Sequence, residues 1–293
     1  MNKLEIIEKR FDAIMELKGA EELKKECIRL ETFLKNKATH FLTDFTPPNY
    51  LWIIKRGGGN TTWLKEFAEF LYSKKAIEFC GIELFIEFKL EYNSPNAFFS
   101  ELTRLDKTIA AFAGHNRYYK GLICINIDDW LAHTTEEHFI KLLEYLSSNN
   151  SRLLVIFCIQ TEDKNFIKSV ESALSSHMRL VSLSLRFPDA KELVELVESR
   201  YIQKTGFSFT ESAKKSFQDT IKELIACKNF NGFKSVFQLA DAVLYDILAS
   251  DLREKKQISA EMLSNYSKDS DYVKLLKNKI DTKTIGFTNE RGN

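Results

Sequence analysis

Hydrophobic and polar positions follow two patterns along this chain, and the change falls near Phe187. Before it, short apolar runs alternate with stretches whose apolar residues recur three or four positions apart. The runs over residues 50–54, 122–127 and 153–159 are almost wholly apolar, 180–185 (LVSLSL) is strand-like, and 82–88 (IELFIEF) alternates. Each predicts a strand. Between them, Leu64, Phe67, Phe70 and Leu71 predict one helix, and Phe98, Leu102, Leu105, Ile109 and Phe112 a second over 97–112. Phe139, Leu142, Leu143 and Leu146 predict a third behind a capping box at Thr134-Thr135-Glu136-Glu137. A short helix is expected over 165–174. Two amphipathic helices, over 4–17 and 20–34, precede the strands, separated by Gly19. Strands and helices thus alternate, which argues for an α/β fold: a five-stranded parallel sheet with helices on both faces.

After Phe187 the pattern is helical. Helices are expected over 190–204, 211–227, 232–250 and 260–280, with no strand of convincing length. The expected organisation is N-terminal helices over 1–44, the α/β domain over 45–187, a small all-helical domain over 188–280, and a polar, frayed tail over 281–293.

The chemistry concentrates after the first strand. Gly57, Gly58 and Gly59 allow backbone angles other residues avoid, and Thr61 and Thr62 open a helix. Successive N–H groups leading into a helix N-terminus make an anion site. Against the phosphate-loop spelling G-x-x-x-x-G-K-[ST], Ile54 stands at the first glycine and Asn60 at the lysine, while Thr61 keeps the hydroxyl. An ordinary glycine-rich turn is the other reading. Lys55 and Arg56 flank the glycines, either as solvated loop residues or as donors of charge from the other side. The strand ICINI ends in Asp128-Asp129, which is either a magnesium-holding carboxylate or two solvated acids entering a turn. The glycine turn, Asp128 and Gln160 all follow strands, and a parallel sheet places them on one edge.

Composition narrows the function classes. The chain has 293 residues, 44% hydrophobic and 28% charged, with a formal net charge of +1. That near-neutral charge speaks against nucleic acid as a partner, although Lys268, Lys274, Lys277, Lys279 and Lys283 make the C-terminal helix and tail modestly basic. No apolar run approaches the length of a membrane span, and the charged N-terminus is no signal peptide, so neither a membrane nor secretion is expected. Cys27, Cys80, Cys124, Cys158 and Cys227 lack paired spacing and read as buried thiols of a reducing cytoplasm. The five histidines are scattered and give no zinc signature, and no haem is expected.

Several stretches carry a resemblance. Residues 16–24 (ELKGAEELK) are similar to a G-x-x-x-[VL]-K lead-in to a nucleotide site. Residues 185–189 (LRFPD) resemble the strand end and Phe-Pro-Asp that precede a helical lid. Residues 204–213 (KTGFSFTESA) are very like a K-x-G-x-x-[LF]-[ST]-x-x-A lid motif, and 229–236 (NFNGFKSV) like N-F-x-N-A-R-x-[VI]. Over roughly residues 10–250 the chain resembles the AAA+ ATPases, nearest the red-type rubisco activases and the sporulation-type AAA proteins.

The resemblance implies a phosphate loop at Gly57, Gly58, Gly59, Asn60, Thr61 and Thr62, with Thr61 and Asp128 on magnesium. It puts Asp129 at the catalytic carboxylate, Gln160 at sensor 1 and Lys234 at sensor 2. Arg179 falls near the arginine finger, which acts on a neighbouring subunit's nucleotide. Against it, Asn60 replaces a full positive charge with a neutral amide. Asp129 is one methylene shorter than Glu, and Lys234 loses the bidentate fork of Arg. Phosphoryl transfer is catalysed mostly by positioning and charge, so these losses together are expected to cut turnover by orders of magnitude. The 90–96 loop is also short for a peptide-threading pore loop. The expectation is a degenerate AAA+ protein, a structural or regulatory subunit with weak or no ATP hydrolysis. Its partners would be active AAA+ subunits or further copies of itself in a ring, and its ligands ATP and magnesium if it binds them. The alternative is an active ATPase with an unusual loop that remodels a protein partner.

Overall fold

The computed structural model describes residues 14–40, 47–54, 60–77, 84–90, 92, 95–113, 121–227, 230–250 and 257–278. The chain divides into two compact units, Met1–Phe187 and Pro188–Asn293. The first runs α1 (Glu21–His40), β1 (Asn49–Ile54), α2 (Asn60–Ser73), β2 (Ile86–Lys89), α3 (Pro95–Ala113) and β3 (Gly121–Asn126). After a 3-10 turn over Asp128–Trp130 follow α4 (Glu137–Ser148), β4 (Leu153–Ile159), α5 (Lys164–Ser175) and β5 (Leu180–Leu185). The five strands form one parallel sheet in the order β2-β3-β4-β1-β5.

Alternation along the strands sends side chains to two cores. Tyr50, Trp52, Cys124, Ile156, Cys158 and Leu183 share one core with Leu23 and Cys27 of α1 and with Trp63, Leu64 and Phe67 of α2. Leu51, Ile123, Val155 and Phe157 share the other with Leu105 of α3, Phe139 and Leu142 of α4, and Val170 and Leu174 of α5. Helices thus cover both faces, which is why the central strands are apolar at nearly every position. Each large apolar side chain so buried contributes roughly 1.5–3 kcal/mol. Trp52 and Trp63, which flank the glycine turn in sequence, are 0% and 1% exposed and belong to the core.

Topology explains the split. From β1 the chain crosses to the far edge at β2, then returns strand by strand through β3 and β4 and steps over β1 to β5. Right-handed crossovers taken in opposite directions deliver their helices to opposite faces.

Local readings differ in two places within the first unit. The strand expected over 82–88 pairs only over Ile86–Lys89, where β2, an edge strand, has β3 as its one neighbour; residues 82 and 83 lie outside the described residues. The expected capping box does not form. Glu136 is the N-cap of α4 without a side-chain cap bond, and Thr134 meets Ser169 instead, Oγ to Oγ at 2.8 Å. Tertiary partners outcompete the local cap for these side chains.

The second unit is also not purely helical. It contains α6 (Ala190–Thr205), β6 (Ser208–Phe209), α7 (Glu211–Ile225), α8 (Gly232–Ala249), β7 (Gln257–Ile258), a 3-10 turn at Ser264–Tyr266, and α9 (Asp271–Asn278). β6 and β7 pair in parallel, because Phe209 and Ile258 bury their side chains there and the Thr210 N–H donates to the Ile258 carbonyl at 2.9 Å. A capping box of Asp189 and Glu192 starts α6, and Gly206, at φ +76°, ends it in the left-handed conformation that suits glycine. The single helix expected over 260–280 is interrupted. Ser267 is extended, and α9 begins only at Asp271, since serine and aspartate favour caps over helix interiors. The helix expected over 4–17 is described only from Ile14, and the tail over 281–293 lies outside the described residues.

Candidate functional site

Strands β1 and β4 are neighbours whose following helices, α2 and α5, pack on opposite faces of the sheet. The chain therefore parts between their carboxyl ends, and such a switch point leaves a crevice where ligands bind open α/β sheets. The cleft found at this edge has a volume of about 820 Å³. Its walls include Thr61 from the first turn of α2, Glu87 and Lys89 from β2, Arg104 from α3, Asn126 at the end of β3, and Gln160 just after β4.

The expected phosphate loop is represented by its helical end. Asn60 begins α2, and Thr61 and Thr62 are exposed in its first turn, whose backbone N–H groups have no partner within the helix. Gly57, Gly58 and Gly59 lie outside the described residues, as does the Asn60 side chain.

Asp128 is held firmly. One carboxylate oxygen accepts from the Gln160 backbone N–H, and the other accepts from the Asn126 side-chain amide at 2.9 Å. The Asn126 side-chain oxygen in turn accepts from the Asp128 N–H at 3.1 Å, and the Ile127 N–H reaches the Cys158 carbonyl at 3.0 Å. The carboxylate thus clasps the end of β3 to the end of β4. It is Asn126, two residues earlier, that lines the cleft. The two N–H donors take one lone pair on each Asp128 oxygen, so a hydrated magnesium ion shared between Thr61 and Asp128 would be held through the lone pairs that remain. Among the described residues, no group of three or more histidine, cysteine, aspartate or glutamate side chains converges as metal ligands do.

Asp129 is exposed and faces Lys89, whose Nζ lies 3.9 Å from Oδ2. Arg104 is drawn elsewhere: its guanidinium meets Glu101 at 3.2 Å and lies 4.7 Å over the Phe88 ring. Partial desolvation raises the Glu87 carboxyl above its ordinary value.

Other expected residues are not brought to this cleft. Arg179 immediately precedes β5, and its carbonyl accepts from the Asn49 N–H at 3.0 Å, so it sits at the amino edge of the sheet. Lys234 stands exposed in the first turn of α8, in the second unit. The Cys124 and Cys158 thiols are buried with sulfurs 3.3 Å apart, and of the two Cys124 lines the cleft.

Beside the 3-10 turn an aromatic cluster anchors the described part of the 90–96 loop. The Tyr92 ring stacks on His133 at 3.7 Å and meets Trp130 edge-on at 5.1 Å. Its hydroxyl donates to Glu136 at 2.9 Å, which raises the Tyr92 pKa, and the Trp130 indole N–H donates to the Leu90 carbonyl at 3.1 Å.

Lys89, Asn126 and Arg104 were absent from the expected site. For two of them the chain carries a faint signal: Asn126 is the polar residue within ICINI, and Lys89 ends the alternation of IELFIEF. No protein-family model and no curated protein matches the chain. Among the described residues, no helix is long and apolar enough to cross a membrane.

Proposed function

We propose that this chain is a degenerate AAA+ protein, a structural or regulatory subunit of a protein assembly that binds nucleotide weakly and hydrolyses it slowly or not at all. The observation that carries this reading is the state of Asp128. At the edge where a nucleotide-hydrolysing sheet of this kind would present a magnesium-holding carboxylate, both oxygens are engaged by the chain's own N–H donors. Asn60, at the lysine position, adds a neutral amide where the terminal phosphates call for charge. A parallel sheet with a cleft at its switch point keeps the frame for a ligand, while the groups that would drive transfer are substituted or hydrogen-bonded by the chain itself. Asp129, with the shorter side chain, faces Lys89.

A working ATPase that remodels a protein is the second reading. Thr61 favours it, since this hydroxyl-bearing residue lines the cleft from the first turn of α2. Steady-state phosphate release by the purified protein, with ATP and magnesium in excess, separates the two. The expected result is no turnover above a protein-free control. Robust turnover that disappears in Asp128→Ala would replace the first reading with the second.

A further inference from the structure

We infer that Cys124 and Cys158 are a redox pair whose oxidation to a disulfide by peroxide loosens the Asp128 clasp beside the cleft. The pair stands apart from the nucleotide reading above and does not depend on it. Among the described cysteines, these two lie on adjacent strands, β3 and β4, and in the same core, on the face covered by α1 and α2. Their sulfurs are 3.3 Å apart and share a hydrogen bond. Cys124 also lines the cleft, which gives a water-sized oxidant a route to its sulfur. The other described thiols are placed differently. Cys27 is buried in α1, and Cys227 stands just past α7 in the second unit, where its thiol donates to the Glu223 carbonyl at 3.2 Å.

Chemistry sets the order of events. The hydrogen bond with Cys124 and burial, with Glu87 and Asp128 nearby, push the Cys158 thiol well above its ordinary value. Cys158 therefore stays protonated, and Cys124, on the cleft wall, is the sulfur that attacks first. One peroxide oxygen bonds to the Cys124 sulfur as the O–O bond breaks, and the thiol proton leaves with the departing hydroxide as water. The Cys158 sulfur then attacks the Cys124 sulfenic acid. The S–S bond forms, the S–O bond breaks, and the Cys158 proton leaves in a second water. Two thiols are oxidised, and one peroxide is reduced to two waters.

Register decides what the bridge does. Cys124 pairs with Ile156 and Cys158 with Asn126, so the two cysteines are diagonal neighbours. At ordinary rise and strand spacing their Cα atoms lie roughly 8 Å apart, whereas a relaxed disulfide takes about 4.4–6.8 Å. Closing the bond must draw β3 and β4 out of their present register, and a bridge made in this way is readily reduced again. The displacement falls on the clasp. The Cys158 carbonyl accepts from the Ile127 N–H at 3.0 Å, and Asn126, the register partner of Cys158, donates to the carboxylate that receives the Gln160 N–H.

The test is peptide mapping by mass spectrometry of the full chain after treatment with hydrogen peroxide and blocking of the remaining thiols. Amide hydrogen exchange of the oxidised and reduced forms accompanies it. The expected result is the loss of two hydrogens per chain, a Cys124–Cys158 cross-link, and its reversal by dithiothreitol. Exchange at the Ile127 and Gln160 amides should rise by roughly tenfold or more on oxidation, as the free energy of local opening falls there, and return on reduction. Cys227→Ser should behave as the wild type. Cys158→Ser should leave Cys124 as a sulfenic acid that dimedone traps, and Cys124→Ser should give no cross-link at Cys158. The map of the wild-type chain decides without either of these variants, should one fail to fold. Recovery of both Cys124 and Cys158 as thiols, or links through Cys27, Cys80 or Cys227 in place of theirs, overturns the inference. A Cys124–Cys158 link that leaves exchange at Ile127 and Gln160 unchanged overturns the coupling to the clasp.

Discussion

The two edges of the five-stranded sheet use the same device under different conditions. At the amino edge, the Asn49 side chain, 2% exposed, accepts from the Val155 N–H at 2.9 Å and donates to Asn150 at 3.1 Å, tying β1 to β4. At the carboxyl edge, Asp128 accepts from the Gln160 N–H and ties β3 to β4 beside an open cleft. Both replace a missing rung of the ladder with a side chain. Water cannot take the place of the first, so its loss leaves a buried donor bare. Water can take the place of the second, so that edge can exchange partners. The comparison teaches where this fold can tolerate a ligand: where its own hydrogen bonds already compete with solvent.

The largest effect should come from the buried clasp. Asn49→Leu keeps the volume and strands the Val155 N–H, at an expected cost of about 2–3 kcal/mol. Urea unfolding measures it, with the slope against denaturant unchanged. Asp128→Ala should cost less, about 1 kcal/mol, because solvent can rescue the Gln160 N–H. Equal losses in the two variants would erase the distinction between the edges.

The smallest effect is a slope with pH at the amino edge. Glu26, 4% exposed, accepts from the Tyr50 hydroxyl at 3.0 Å. Burial raises its pKa above the ordinary 4.5, against the opposing pull of Arg29, Tyr50 and Arg179. Between the ordinary and the raised value, the folded chain holds a proton that the unfolded chain has released. The contribution of Glu26 is therefore fully present below about 4.5 and is lost as pH rises through the raised folded value. Glu26→Gln keeps an acceptor for Tyr50 and cannot ionise, so the difference in stability between it and the wild type should shift in favour of the variant across that window. A difference independent of pH there would show that Glu26 titrates alike in both states.

Legibility tracked burial. β1, β3 and β4 lie within a residue of their expected bounds, because runs covered on both faces leave few polar positions to mislead, and β5, an edge strand, keeps its bounds with Ser182 and Ser184 exposed on either side of Leu183. β2, paired on one side, was overextended. Ser208–Phe209 and Gln257–Ile258 were not visible as strands, because two residues hold an extended form only when a partner distant in sequence comes alongside. At the cleft, the placement of Asp128 and Gln160 on one edge was legible, since strand ends follow from the alternation. The engagement of both Asp128 oxygens was not, because it depends on the Asn126 amide and the Gln160 N–H arriving at the same carboxylate. Lys89 was overlooked because its position matters only once β2 is seen to lie beside β3.

The amino-acid sequence by itself determined the five-stranded α/β core, the helical character of the second unit and the loss of a lysine at residue 60. Those features depend on side-chain period and identity, which are local. Only the tertiary structure decided the strand order, the face each helix covers, the engagement of Asp128 by the Asn126 amide and the Gln160 N–H, and the arrival of Lys89 at the cleft. Each of these depends on which strands become neighbours, and neighbours are selected by the burial of the whole sheet.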